Sequence, residues 1–205
     1  MNKNIELFTV DTAYIEYLSS HEPLLFHNKK KHQTNERKYI GVVLLVNGVK
    51  YFAPLSSFKE KHGRMKDAVD FIKIKRYAVI NLNTMFPVPD GCYSRVDISK
   101  EADPKYRALL LSEYRYIKSI QDRIRKNAAV LYRLKTGNTI SRLTNRCVNF
   151  IMLEQLCTSY MSDDPFYDER NLRYLEQKME DYKEGKLHFE QHDLREALIN
   201  SAPPS

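Results

Sequence analysis

The sequence predicts an α+β protein: a compact, strongly bent antiparallel sheet or small barrel, with long helices packed on it and a C-terminal helical tail. Two observations carry this reading. Short β-rich runs separated by turn residues occupy the chain up to about Val96, and from Pro104 onward apolar residues recur at helical spacing instead.

Ile5 to Val10 reads as a strand, after which Asp11 or Thr12 can cap a helix with Tyr14, Tyr17 and Leu18 on one side. His21 to Arg37 is polar, basic and without period, and is expected to be a long loop. Tyr39 to Val46 and Val49 to Pro54 flank Asn47-Gly48, the preferred pair for a two-residue type I′ hairpin turn. Leu55 to Lys66 is expected to be a basic polar connection, followed by strands at Asp70 to Ile74, Ala78 to Asn81 and Cys92 to Val96. Lys105 to Arg125 places Leu109, Leu110, Tyr114, Ile117 and Ile124 near helical spacing. Ala128 to Leu134 continues the pattern after a break, Val148 to Tyr160 supplies another helix, and an amphipathic helix runs from about Glu169 to Lys183.

Charge divides the chain. Residues 1–161 hold 27 Lys and Arg against 15 Asp and Glu, a net of +12, whereas residues 162–205 hold 6 against 11, a net of −5. Two domains are therefore expected, with a boundary at the loop-like Ser162-Asp163-Asp164-Pro165. The positives cluster at Lys29, Lys30, Lys31, Arg37 and Lys38, at Lys59, Lys61, Arg64 and Lys66, and at Arg115, Lys118, Arg123, Arg125 and Lys126. Such density favours a phosphate-binding face over scattered surface solvation. No apolar run approaches a membrane span, and MNKNIELFTV has no signal-peptide pattern. Cys92, Cys147 and Cys157 form neither a CxxC pair nor a disulfide framework, so a reducing cytoplasm is expected.

The common catalytic signatures fail: there is no GxGxxG, GxxxxGK[ST], HExxH or GxSxG, and the six histidines show no paired metal-ligand spacing. No cofactor or metal is expected. The hairpin supplies a different constellation. If its strands pair so that partner numbers sum to about 95, residue 38 lies across from 57 and 37 from 58. Arg37 and Lys38 then share the open end with Ser56, Ser57 and Lys59. Cations, hydroxyls and a backbone turn in one place can hold a phosphodiester and stabilise a pentacoordinate transition state. RNA brings its own nucleophile, the 2′-hydroxyl, so the protein need add only proton transfer and charge stabilisation. A lysine in a cationic cluster can take the acid or base part. The plain alternative is that Ser56 and Ser57 close a strand-end turn and that the lysines are merely solvated.

In order along the chain, Tyr14-Ile15-Glu16-Tyr17-Leu18, Arg37-Lys38-Tyr39-Ile40-Gly41-Val42-Val43-Leu44, Tyr51 to Lys59, Ile80 to Pro87, Tyr106 to Tyr116, Cys147-Val148-Asn149-Phe150 and Leu153-Glu154 together resemble the ToxN/AbiQ endoribonucleases of type III toxin–antitoxin and phage-abortive systems. The resemblance runs from about residue 5 to 161. It implies a barrel-like α+β fold related to the MazF/Kid ribonucleases and metal-independent cleavage leaving a 2′,3′-cyclic phosphate. It also implies inhibition by a repeated pseudoknot RNA held in ring-like assemblies. No membrane partner is expected, because no amphipathic segment with exposed large apolar residues flanks the basic clusters. Carried residue by residue, its active-site hydroxyl pair and lysine fall on Ser56, Ser57 and Lys59, its helix tyrosine on Tyr14, and its basic residue before the first long strand on Arg37, beside Lys38. A tyrosine of the family pattern becomes Gln33, which leaves its stacking role open among Phe26, His27 and His32. Lys29, Lys30, Lys31, Lys38, Lys61, Arg64, Lys66, Arg115 and Lys118 are the expected RNA contacts. The tail, from Phe166 to Leu194, resembles more faintly the end of Phd/YefM antitoxins, which would make it a strap. Two readings compete with RNA cleavage: a non-catalytic RNA-binding module, and a protein-interaction module on the same small barrel.

Overall fold

The computed structural model describes residues 4–25, 37–137, 139–163 and 169–184. The chain falls into two compact units, Met1–Met161 and Ser162–Ser205. The first is α+β. Strand β1 (Glu6–Val10) leads to helix α1 (Thr12–His21), where Asp11 is the cap: its Oδ1 accepts the N–H of Ala13 at 2.7 Å. The hairpin of β2 (Tyr39–Val46) and β3 (Val49–Ser57) turns at Asn47 and Gly48, whose φ values of 49° and 83° are both positive, as a type I′ turn requires.

Strands β4 (Phe71–Ile74), β5 (Ala78–Asn81), β6 (Phe86–Pro87) and β7 (Tyr93–Arg95) complete an antiparallel sheet ordered β4-β5-β3-β2-β1-β7, with β6 also on β3. Strand β3 is the pivot. Its first part pairs with β2 and β6, and its last three residues, Leu55, Ser56 and Ser57, pair with Ile80, Val79 and Ala78 of β5.

Two expectations about the hairpin need correction. The pairs Val46↔Val49, Leu45↔Lys50 and Leu44↔Tyr51 follow the expected register, but an irregularity between Leu44 and Ile40 moves the remainder to Ile40↔Ala53 and Tyr39↔Pro54. The N–H of Leu55 donates to Lys38 O at 3.0 Å, so Lys38 faces Leu55 and Arg37 comes level with Ser56 instead of residue 58. Gly41 lies inside the irregular stretch, packed so closely on Phe52 that a Cβ there would meet the ring at 2.5 Å. The Leu55 to Lys66 connection is also more ordered than expected: β3 extends through Ser57, and a short helix α2 spans Glu60–Arg64.

The helical half contains α3 (Pro104–Ser119), α4 (Gln121–Thr136) and α5 (Phe150–Asp163). The break lies at Ile120, and α4 runs unbroken through Arg125 to Ala128, where an interruption was expected. Leu110, Ile117, Ile124 and Leu131 are all buried at intervals of seven, so the apolar stripe passes through the break without a change of phase. Helix α5 buries Phe150, Leu153 and Cys157 in the core. The Glu154 carboxylate accepts the hydroxyls of Tyr51 at 2.6 Å and Tyr132 at 2.8 Å, tying β3, α4 and α5 together. In the second unit, α6 (Glu169–Lys183) exposes Met179 and Tyr182; of the expected apolar stripe, the Leu172 side chain lies outside the described residues. No helix among the described residues is long and apolar enough to cross a membrane.

Candidate active site

At the end of β3, after five consecutive buried residues, Ser56 is half-buried and Ser57 exposed. The Ser56 hydroxyl oxygen accepts a 3.2 Å hydrogen bond from Nδ2 of Asn81, the last residue of β5. Asn81 is itself held in place: it pairs with Phe71, its carbonyl accepts the Thr84 hydroxyl at 3.3 Å, and the next N–H, of Leu82, donates to Asp70 O at 2.8 Å. The hydroxyl pair therefore sits on a paired strand and not on a free turn.

The chain then leaves the sheet under control. Phe58 N–H donates to Tyr77 O at 3.2 Å, and Lys59 precedes α2 with its backbone N–H donated to Nδ1 of His62 at 3.0 Å. The His62 N–H returns a 2.8 Å bond to Lys59 O. The His62 ring is buried between Phe58 and Phe71, with ring centroids 5.7 and 5.6 Å away. Burial first, then the nearby Lys61 and Lys59 charges, lower its tendency to take a proton, which suits a ring nitrogen that must remain an acceptor. The Lys59 side chain is exposed, as are Lys61, Arg64 and Lys66.

Arg37 and Lys38 are half-buried just before β2, and burial pulls the Arg37 guanidinium below its ordinary value while the Tyr39 hydroxyl raises it slightly. Tyr14 lies deeper. It is 0% exposed, its hydroxyl donates to Pro87 O at 2.8 Å, its ring meets Tyr160 edge-on, and burial drives its pKa far upward. Lys118 lies over the Tyr114 ring at 5.7 Å, and Tyr114 donates its hydroxyl to Glu6 on β1 at 2.9 Å. Tyr116 faces the opposite side of α3, so Lys118 belongs to a different surface from the one reached by Tyr116. Arg115 is exposed on the same helix. Lys29, Lys30 and Lys31 lie outside the described residues, as do Phe26, His27, His32 and Gln33.

Asn81 escapes a motif search because its bond to Ser56 exists only once β3 and β5 pair, and His62, at capping-box spacing from Lys59, escapes because histidine is not among the residues by which that box is recognised. The run Lys73, Lys75, Arg76 left a visible signal, a basic cluster in IKIKRY, that its place between two short strands disguises as an ordinary hairpin turn.

Residues 6–158 match the family model described as Toxin ToxN of the type III toxin–antitoxin system. The chain is 30% identical over 186 residues to Endoribonuclease ToxN of Bacillus thuringiensis subsp. kurstaki, covering 85% of this chain and 95% of the relative. It superposes with a TM-score of 0.68 and 29% identity on a type III toxin whose structure concerns selective inhibition by a non-coding RNA pseudoknot, covering 77% of this chain and 98% of that one. A TM-score of 0.68 with 26% identity also relates it to AbiQ, a lactococcal anti-phage endoribonuclease of the type III system, over 78% of this chain and 99% of that one. With its core, its β3 hydroxyl pair and its α2 turn all inside the matched span, this chain belongs to the ToxN family of type III toxin–antitoxin toxins.

Proposed function

We propose that the chain is an RNA-cleaving toxin of a type III system, neutralised by a non-coding RNA antitoxin of pseudoknot form, and that Ser56, Ser57, Lys59 and Arg37 make up its cutting site. The carrying observation is the hydroxyl pair at the end of β3, with Lys59 immediately beyond and Arg37 level with Ser56, in a chain of the ToxN family. The reaction needs no nucleophile from the protein. The substrate 2′-oxygen attacks the adjacent phosphorus as its proton passes to a base, the P–O5′ bond breaks, and the departing 5′-oxygen takes up a proton. The products are a 2′,3′-cyclic phosphate and a 5′-hydroxyl. Lys59 and Arg37 offset the added negative charge on the pentacoordinate phosphorane, and the serine hydroxyls donate to its oxygens. Tyr14, which the resemblance counts among the active-site residues, is 0% exposed, so in this reading it serves the site from behind, as packing that fixes α1 against β6 and α5.

The same reading places residues 1–161 as the toxin domain and residues 162–205 as an acidic tail. It also treats the sheet, bent at β3, as kin to the small MazF/Kid barrel, and the protein as cytoplasmic, in ring-like assemblies with its antitoxin RNA. The clusters at Lys29 to Lys31, Lys38, Lys61, Arg64, Lys66, Arg115 and Lys118 supply phosphate contacts.

Cleavage of end-labelled RNA tests the proposal. Cutting should persist in excess EDTA and yield cyclic-phosphate ends, and a single 2′-deoxy substitution at the scissile ribose should abolish it. Ser57→Ala and Lys59→Ala should each slow it on the order of a hundredfold. Cutting of the deoxy substrate, or full rates in both variants, would overturn the proposal.

A further inference from the structure

Immediately beyond Ser57 the surface opens into a groove of about 530 Å³, lined by Phe58, Lys66, Lys73, Lys75, Arg76 and Tyr116. It begins where Phe58 hydrogen-bonds Tyr77, one residue from the exposed Ser57 hydroxyl. Four cations face it against one acid, Asp67, and that acid is engaged: Oδ2 meets Arg123 at 3.2 Å and Oδ1 accepts the Lys73 N–H at 3.2 Å. The Lys73 ammonium donates to Met65 O at 2.7 Å, which fixes the charge at the groove wall.

The turn between β4 and β5 is costly for what it presents. Lys75 has φ = 48°, in the left-handed region where glycine or asparagine would be relaxed and a lysine is strained. Its ammonium lies 5.6 Å from the centroid of Tyr116, on α3. A cation over an aromatic face, flanked by further cations, matches the chemistry by which proteins hold single-stranded nucleic acid: charges follow the phosphates and rings receive the bases.

We propose that this groove is the track for the single-stranded RNA flanking the scissile phosphate, with Lys75 and Arg76 on the backbone and Tyr116 as a base-stacking platform. This rests on the cutting site at Ser57, and it goes beyond that site by naming residues of α3 and of the β4–β5 turn that hold the substrate without touching the reacting bond. The substrate arm enters extended, since paired strands would withhold their base faces from Tyr116.

The test uses the full chain and a mixed-sequence 2′-O-methyl single strand, which keeps bases and phosphates but has no free 2′-hydroxyl to attack. Lys75→Ala/Arg76→Ala should weaken binding at low salt and reduce the slope of log affinity against log salt by about 1.4, two single-strand phosphate contacts. Tyr116→Ala should weaken binding with the slope unchanged, and Tyr116→Phe should restore it. On cleavable RNA, the same variants should raise KM for long strands and leave a dinucleotide, too short to fill the groove, cut at the parent rate. Parental affinity and slope in the double variant would overturn the groove as an RNA track, as would an equal loss on the dinucleotide. Because the binding arm needs no cutting, a parent protein that fails to cleave would count against the active site and leave the groove to be judged by its salt slope.

Discussion

The amide of Asn81 donates to the Ser56 hydroxyl oxygen across the β3–β5 pair, and that direction sets what the hydroxyl can do. With its oxygen occupied as an acceptor, the Ser56 proton is available to a phosphoryl oxygen. Asn81→Asp keeps the shape and reverses the polarity: a carboxylate draws the Ser56 proton toward itself. We expect this variant to lose most of the rate lost by Ser56→Ala while binding RNA nearly as well. Its deficit relative to the parent should persist from pH 8 to 5 and narrow only as pH approaches 4, where the new carboxyl regains a proton it can donate. A deficit independent of pH, or additive with Ser56→Ala in the double variant, would mean that Asn81 does not act through Ser56.

His62 gives the site a lower pH limit. Its Nδ1 accepts the Lys59 N–H, and burial holds its folded-state pKa below the ordinary value. A group whose pKa is depressed on folding binds more protons when unfolded. Its contribution is therefore complete above about pH 6.5 and is lost as pH falls through the folded value. Denaturant midpoints should accordingly fall on acidification below pH 6.5, more in the parent than in His62→Asn, whose side-chain oxygen can still accept without titrating. An acid profile identical in both proteins would remove His62 from this role.

Glu113 acts in the opposite direction. It is 7% exposed on α3, and burial raises its carboxyl to about 7. The unfolded chain gives up this proton near the ordinary carboxylate value, so folding loses stability as pH rises from there through about 7. Glu113→Gln should stabilise the protein by on the order of 2 kcal/mol at pH 8 and change little at pH 4.5, read from denaturation at both values. Equal midpoints at pH 8 would show that the carboxylate is accommodated without cost.

What was legible in the sequence was whatever local chemistry dictates. Asn47-Gly48 announces its turn because few other pairs tolerate two positive φ angles, and Asp11 announces its cap. The serine–lysine cluster stood out because its residue types are adjacent in the chain. The slip at Gly41 and the break at Ile120 were hidden for opposite reasons. An interior glycine is a signal of irregularity whose size depends on the ring it packs against, and a seven-residue stripe carries straight through a helix break. Partnerships such as Asn81 with Ser56 or Lys75 with Tyr116 join residues 25 or more positions apart, and no spacing rule connects them.

The final prediction concerns residues 162–205. The family match ends at residue 158, and among the described residues the buried apolar cluster is built from residues between Ile5 and Cys157. A chain ending after Met161 should therefore fold cooperatively with a midpoint close to that of the full protein. Its net charge rises from +7 to +12, because the removed segment carries −5. Long-range attraction to a polyanion grows with that excess, so the truncated protein should bind and cut RNA more strongly at low salt, with the advantage fading as salt screens it. Loss of cooperative unfolding would make the tail part of the fold. An affinity gain that persists unchanged in high salt would rule out net charge as its cause.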